Sequence, residues 1–262
     1  MMKGWIFVCL VGVGWVPVAG AAGVLETFAE DSAGNYHAGW SSGSNGGHGF
    51  GPWRLAARHG AEESYAGFFV AGVDDQPDLR NITRRHAFGL YANGVAFEEA
   101  VAFRSFQNPL QPGEAFSVLL EHGRIRQTGE TAQPPGSLGL TLRAETEAAE
   151  TADFDRGARF QFVYREGEET YRILDGESGE REDSGIPVTG NGIELTFILV
   201  DGDRYDLQAR ILETDELREW TGRRLGGEPG AALAGVAFFN RNAEPRDVYF
   251  EGLQLNRKRP LP

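Results

Sequence analysis

The residues of this 262-residue chain best suited to touching a ligand fall in one passage, Tyr36-His37-Ala38-Gly39-Trp40-Ser41-Ser42-Gly43-Ser44-Asn45-Gly46-Gly47-His48-Gly49-Phe50-Gly51-Pro52-Trp53. Large rings bracket a glycine-rich loop that also carries amide, hydroxyl and imidazole groups. Flat rings beside such groups suit sugars, whose apolar faces stack and whose hydroxyls need polar partners. Trp40, Asn45, His48 and Trp53 are therefore candidate ligand-binding residues, and Tyr91 and Asn93 of the segment Phe88-Gly89-Leu90-Tyr91-Ala92-Asn93 complete the set. The competing reading is packing. Trp40, Phe50 and Trp53 would then bury area in a core while the glycines supply positive φ for the loop.

Acid and base chemistry needs carboxyls at a defined separation, about 5 to 5.5 Å for a retaining glycosidase. Asp201, Asp203 and Asp206 come nearest to that spacing, but the first two flank Gly202 in an Asp-Gly hairpin turn and only Asp206 lies within the following strand. Glu145, Glu147 and Glu150 sit in a charged connection. Without a paired acid and base the chain reads as non-catalytic, the alternative being a polysaccharide lyase or glycoside hydrolase working through Asp206 or an acidic loop residue. No cofactor is expected. The metal reading is a structural calcium ion at Asp201 and Asp203, or at the oxygen-rich turn Asp74-Asp75-Gln76-Pro77-Asp78, although neither has calcium-loop spacing. His37 and His48, eleven residues apart, match no metal motif, and all five histidines read as lone surface residues. A Gly-x-Ser-x-Gly strand-to-helix elbow is not expected, because the fold reading lacks the helix it requires, and the single cysteine, Cys9, falls in the segment read below as a leader, so thiol chemistry is excluded.

Strands must position these residues. In 159–165, Phe160, Phe162 and Tyr164 fall on one side of the strand, and in 204–211 Tyr205, Leu207, Ala209 and Ile211 do the same against Arg204, Asp206, Gln208 and Arg210, the period of half-buried antiparallel strands. Further strands are expected at 53–57, 66–71, 87–91, 100–103, 116–121, 138–143, 170–174, 193–200, 235–240 and 247–255. Asp201-Gly202 predicts a hairpin between two of them. A turn or two of helix is expected at 214–220 and at 145–153, and a long exposed acidic loop at 175–192. Many short strands with glycine-rich turns give an all-β fold, a single antiparallel two-sheet β-sandwich with little helix.

Residues 1–21 carry Lys3, an apolar run from Trp5 to Val18 and small residues at Ala19 and Ala21, which predicts a cleaved secretory signal peptide ahead of one sandwich domain over 22–262. The product is expected to be secreted, periplasmic or on the cell surface, with no membrane span in the mature chain. With 38 acidic against 25 basic residues and a net charge of -13, the chain lacks the basic surface that nucleic acid requires.

The passage 36–53, together with Ala66-Gly67-Phe68-Phe69, 88–93, Glu114-Ala115-Phe116-Ser117-Val118, Phe238-Phe239-Asn240-Arg241-Asn242 and Tyr249-Phe250-Glu251-Gly252-Leu253, resembles exported bacterial concanavalin A-like (laminin-G-like) jelly-roll proteins. The chain is similar to the ectodomains of PEP-CTERM-type surface proteins but ends Asn256-Arg257-Lys258-Arg259-Pro260 without their Pro-Glu-Pro signal. The resemblance implies a jelly-roll sandwich and a polysaccharide or cell-surface glycan as partner. It brings no catalytic residues with it.

Overall fold

The computed structural model describes residues 23–60, 65–72, 79–82, 86–93, 97–123, 135–144, 153–177, 182–243 and 247–260. The leader at 1–21, the oxygen-rich turn at 74–78 and the helical turn's residues 145–152 lie outside the described residues. Fifteen strands follow one another: β1 (Gly23–Asp31), β2 (Phe50–His59), β3 (Tyr65–Gly72), β4 (His86–Asn93), β5 (Glu98–Phe106), β6 (Glu114–His122), β7 (Ser137–Arg143), β8 (Ala158–Arg165), β9 (Thr170–Leu174), β10 (Glu182–Pro187), β11 (Ile193–Leu199), β12 (Arg204–Ile211), β13 (Glu216–Arg224), β14 (Gly235–Arg241) and β15 (Val248–Pro260). One sheet runs β13-β12-β11-β6-β15-β4-β3, with β1 also paired to β15; the other runs β10-β9-β8-β7-β14-β5-β2. Every pairing is antiparallel, and the molecule is a two-sheet jelly-roll sandwich.

Between the sheets the inward side chains form one continuous core. Phe238 of β14 and Phe250 of β15 stack across it with ring centroids 3.8 Å apart, and Phe88 of β4 packs on Phe250 at 5.1 Å. Each such ring contributes about 1.5–3 kcal/mol by leaving water. The expected alternation holds in β12, where Tyr205, Leu207, Ala209 and Ile211 are buried and Asp206, Gln208 and Arg210 are half-exposed. The Asp-Gly hairpin also forms, joining β11 to β12 with Leu199 opposite Tyr205.

Four local readings are corrected. Residues 216–224 form β13 instead of a helix, because Asp215, at φ 56, turns the chain back so that β13 pairs along β12. The loop expected at 175–192 contains β10, since Ile186 and Val188 bury themselves beside β9. Strand β1, which was not foreseen, is held by β15. Finally, β8 is buried on both faces, with Gln161 and Val163 covered as well as Phe160 and Phe162.

That last difference has a physical cause. The outer face of the second sheet carries its own apolar cluster of Val101, Phe103, Val163, Ala237 and Phe239, and the turn at 153–157 lays Phe154 over it. Phe154 stacks on Phe239 with centroids 3.7 Å apart and planes 11° from parallel. A strand covered on both faces loses the polar alternation that marks a solvated one.

Candidate functional site

The register across the second sheet builds a depression on this outer face. Ser137 of β7 lies opposite Arg241 of β14 on one side and Arg165 of β8 on the other, giving a polar rung. Two residues on, Gly139 lies between Phe239 and Val163, and after it Thr141 lies between Ala237 and Gln161. Gly139 offers no side chain in the middle rung and admits none, for a Cβ there would stand 2.1 Å from the Phe162 carbonyl oxygen. Beside this rung opens a cavity of about 490 Å³, lined by Ser137, Gln161, Val163, Arg165, Leu174, Phe239 and Arg241 of the sheet, by Phe154 and Asp155 of the covering turn, and by Glu166 and Glu168 of the next turn. That volume lies within the roughly 300–1,000 Å³ of small-molecule sites.

Its polar groups are held in place by neighbours. The Gln161 amide donates to the Thr141 hydroxyl at 3.0 Å, which leaves the Gln161 carbonyl as the free acceptor of that side chain. Glu166 accepts from the Gly136 N–H at 3.1 Å, and Glu168 pairs with Arg172 at 3.1 Å. Arg241 pairs with the buried Glu99 and lies over the Phe154 ring, 4.7 Å from its centroid. Burial pushes the Glu99 carboxyl up from its ordinary value, and Arg241 opposes that. Asp155 stands exposed at the cavity mouth, yet its carboxyl is also raised, first by partial desolvation and then by the hydrogen bond and charge of Asp153.

None of the residues singled out by sequence lines this cavity, and they do not gather into one exposed surface of their own. Trp40 and Trp53 are core residues, packed edge to face at 5.2 Å, and offer no ring face to a sugar; the packing reading of the passage replaces the stacking one for these two. Asn45 and His48 are exposed on the loop. Tyr91 lies half-buried on the outer face of the first sheet against Phe69, and Asn93 ends β4. Rings crowd near strand starts because the core needs their area, and pattern alone does not separate that from display.

The glycine-rich passage is anchored by a buried polar network. Arg104 of β5 and Asp31 of β1 form an ion pair at 3.1 Å with both side chains fully buried. The Tyr36 hydroxyl donates to Asp31 at 2.6 Å, the Trp53 indole N–H donates to the same carboxylate at 3.2 Å, and Arg104 donates to the Gly46 carbonyl at 2.9 Å and to the Asn45 side chain at 3.1 Å. Loss of water from so many polar groups is offset only when each is partnered. Asn45 is thus a structural ligand of Arg104.

At the hairpin, Asp203 pairs with the buried Arg159 at 2.6 Å and accepts from the Gly230 N–H, while Asp201 pairs with Arg204 at 2.8 Å and accepts from the backbone N–H groups of Asp203 and Arg204. These bonds hold both carboxyls below their ordinary range, backbone N–H donation being the largest cause. Among the described residues no three His, Asp or Glu side chains gather where a metal ion could sit. Asp206 accepts from the Gly222 N–H at 2.7 Å beside the bulge between β12 and β13, a turn-holding role.

No family model matches the chain, and no curated protein matches it. Among solved structures it is similar to a protein of unknown function with a galectin-like fold from Bacillus subtilis, at 13% identity over 79% of this chain and 89% of that one, with a TM-score of 0.43. It is also similar to the lectin UEA-II complexed with galactose, at 6% identity over 88% and 99% of the two chains and a TM-score of 0.45. A carbohydrate esterase from a Shiga toxin-encoding bacteriophage matches at 11% identity over 79% and 90%, with a TM-score of 0.43. Identities this low carry no residue's role over to this chain, and with TM-scores under 0.5 the architecture rests on the chain's own strand pairing.

Proposed function

We propose that the protein is an exported, non-catalytic carbohydrate-binding sandwich whose sugar occupies the depression on the outer face of the second sheet. One observation carries the reading: the cavity beside the Gly139 rung sets hydrogen-bonding side chains (Ser137, Gln161, Arg165) around an apolar wall of Val163, Leu174 and Phe239. A sugar needs that combination, since its C–H faces seek apolar surface and its hydroxyls seek amides, carboxylates and guanidinium groups. The export signal read at residues 1–21 and the chain's acidic charge agree with an extracellular glycan in preference to a polyanion. Gln161→Leu keeps the side chain's bulk but removes its carbonyl. Retention of the purified protein in affinity electrophoresis through polysaccharide gels is expected to weaken about tenfold, the size of one lost polar contact of roughly 1.4 kcal/mol. Absence of retention on every polysaccharide tried, or retention unaltered in Gln161→Leu, would contradict the assignment.

A second reading rests on Asp155. A carboxyl raised by desolvation and by a neighbouring acid, beside an arginine and at a cavity mouth, has the character of a proton donor. Release of reducing or unsaturated ends from a polysaccharide, abolished by Asp155→Asn, would make the molecule an enzyme of the lyase or hydrolase class.

A further inference from the structure

Two buried polar side chains line the cavity on the second sheet, Ser137 and Gln161. The Gln161 carboxamide donates to the Thr141 hydroxyl of β7 at 3.0 Å, and among the described residues nothing donates to its carbonyl oxygen. With its nitrogen committed to β7, the carboxamide holds its oxygen on the other side, away from that strand. The register sets apolar neighbours around it. Leu174 of β9 stands directly opposite Gln161, and Val163 is the next side chain on the same face of β8. An acceptor in so apolar a corner carries a desolvation cost until a donor reaches it.

The charges of the lining are already matched. Arg241 pairs with Glu99 and Glu168 with Arg172. The two lining arginines, Arg165 and Arg241, face three carboxyls, Asp155, Glu166 and Glu168. A carboxylate or sulfate on the ligand therefore meets no surplus of positive charge.

We infer that the sugar bound in this cavity carries an N-acetylated amino group, an inference that rests on the reading of the cavity as a sugar site. A secondary amide is planar and trans, so its N–H and its methyl lie along one edge while its carbonyl points the opposite way. That edge supplies both things the Gln161 corner lacks: the N–H donates to the Gln161 carbonyl, and the methyl seats against Leu174 and Val163. The amide's own oxygen then points along β8 toward the rung where Ser137 and Arg165 lie side by side, both of which can donate. The group is uncharged, as a balanced lining requires. A plain hexose hydroxyl offers the donor without the methyl. An unacetylated amine is an ammonium ion at neutral pH and must shed water to enter.

Calorimetric titration of the purified protein with tetramers of N-acetylglucosamine, glucosamine and glucose in the same linkage varies that group alone. N-acetylgalactosamine against galactose repeats the comparison in a second stereochemistry. In whichever series binds, the acetylated sugar is expected to bind at least about tenfold more tightly than its hydroxyl counterpart, the size of one polar contact with one buried methyl. Gln161→Leu should bring the two within about twofold of each other. Leu174→Asn, at a half-buried position, should weaken the acetylated sugar about fourfold and leave the hydroxyl form unchanged. Should Gln161→Leu fail to fold, Leu174→Asn and the matched sugars still decide the matter. A hydroxyl or ammonium form that binds as tightly as the acetylated one, or retention confined to polysaccharides without acetamido groups, overturns the inference and leaves the sugar site standing. Binding of none of these sugars, together with no retention on any polysaccharide, overturns the sugar site and the inference with it.

Discussion

The imidazole of His122 is fully buried at the end of β6, stacked on Tyr164 with centroids 5.1 Å apart. One ring nitrogen lies 2.7 Å from the Gly123 carbonyl and the other 2.7 Å from the Tyr171 hydroxyl. A carbonyl only accepts, so Nδ1 carries a proton; burial disfavours the charged ring, and in the neutral ring Nε2 accepts from the Tyr171 hydroxyl, which is also 3.3 Å from the Thr189 carbonyl. Burial lowers its pKa from 6.5 to about 4, with the Gly123 bond opposing. The folded value lies below the unfolded one, so the unfolded chain takes up the extra proton as the pH falls. The stability linked to His122 is present above about pH 6.5 and is lost progressively toward pH 4, by roughly 3 kcal/mol in all. Glu99 and Glu121, whose carboxyls burial raises, act in the opposite sense. Urea unfolding at pH 7 and pH 4.5 should therefore show a pH-dependent loss that is smaller by about 2–3 kcal/mol in His122→Phe than in the natural chain; equal losses would place the titration elsewhere. The sequence reading of His122 as a surface histidine fails for a reason local sequence cannot carry, since the rings that pack on it, Tyr164 and Tyr171, arrive from β8 and β9.

Most strands were legible because alternation survives wherever one face is wet, as β11 and β12 demonstrate. It fails where a face is covered from elsewhere, and the candidate cavity lies in that place: its lining residues Gln161 and Val163 looked like the solvent side of β8 until Phe154 closed over them. The available signal was a phenylalanine in an otherwise acidic connection. The glycine-rich passage was legible as a loop but not as the cover of β2, because its backbone bonds leave no trace in residue type. Gly49, at φ +79, shows what the glycines do: a Cβ there would lie 2.1 Å from the Ala29 Cβ, so only glycine lets the loop bridge to β1 beside it. Gly43, at φ +90, has nothing within 4 Å of the same point. Gly49→Ala combines backbone strain with a clash and should cost at least about 3 kcal/mol, whereas Gly43→Ala should cost only the strain, about 1–2 kcal/mol. Thermal midpoints of the two variants check this, and equal shifts would show that the loop relaxes away from β1.

At the scale of the molecule, the sandwich was legible from turn spacing and strand chemistry, while the site was not, because a site on a sheet face depends on register between strands far apart in sequence. Ser137, Arg165 and Arg241 meet in one rung although a hundred residues separate the first from the last. The same long-range pairing fixes how the protein unfolds. One continuous core draws side chains from both sheets, including Ala29 of β1, Trp53 of β2, Ile186 of β10 and Leu255 of β15, with Trp220 of β13 packed against its margin. Removing any strand exposes that shared cluster, so no part has a separate core large enough to persist alone. In protein produced from residue 22 onward, without Trp5 and Trp15, tryptophan emission reports from Trp40 and Trp53 beside the Asp31–Arg104 pair and from Trp220 at the opposite edge of the first sheet, whereas far-ultraviolet circular dichroism reports the strands of both sheets. The two signals are expected to fall together in one urea transition, in the natural chain and in Trp220→Phe alike. A fluorescence change in the natural chain that precedes the loss of ellipticity and disappears in Trp220→Phe would mean that β12 and β13 open as a unit, and that the core is coupled less tightly at that edge than its continuity requires.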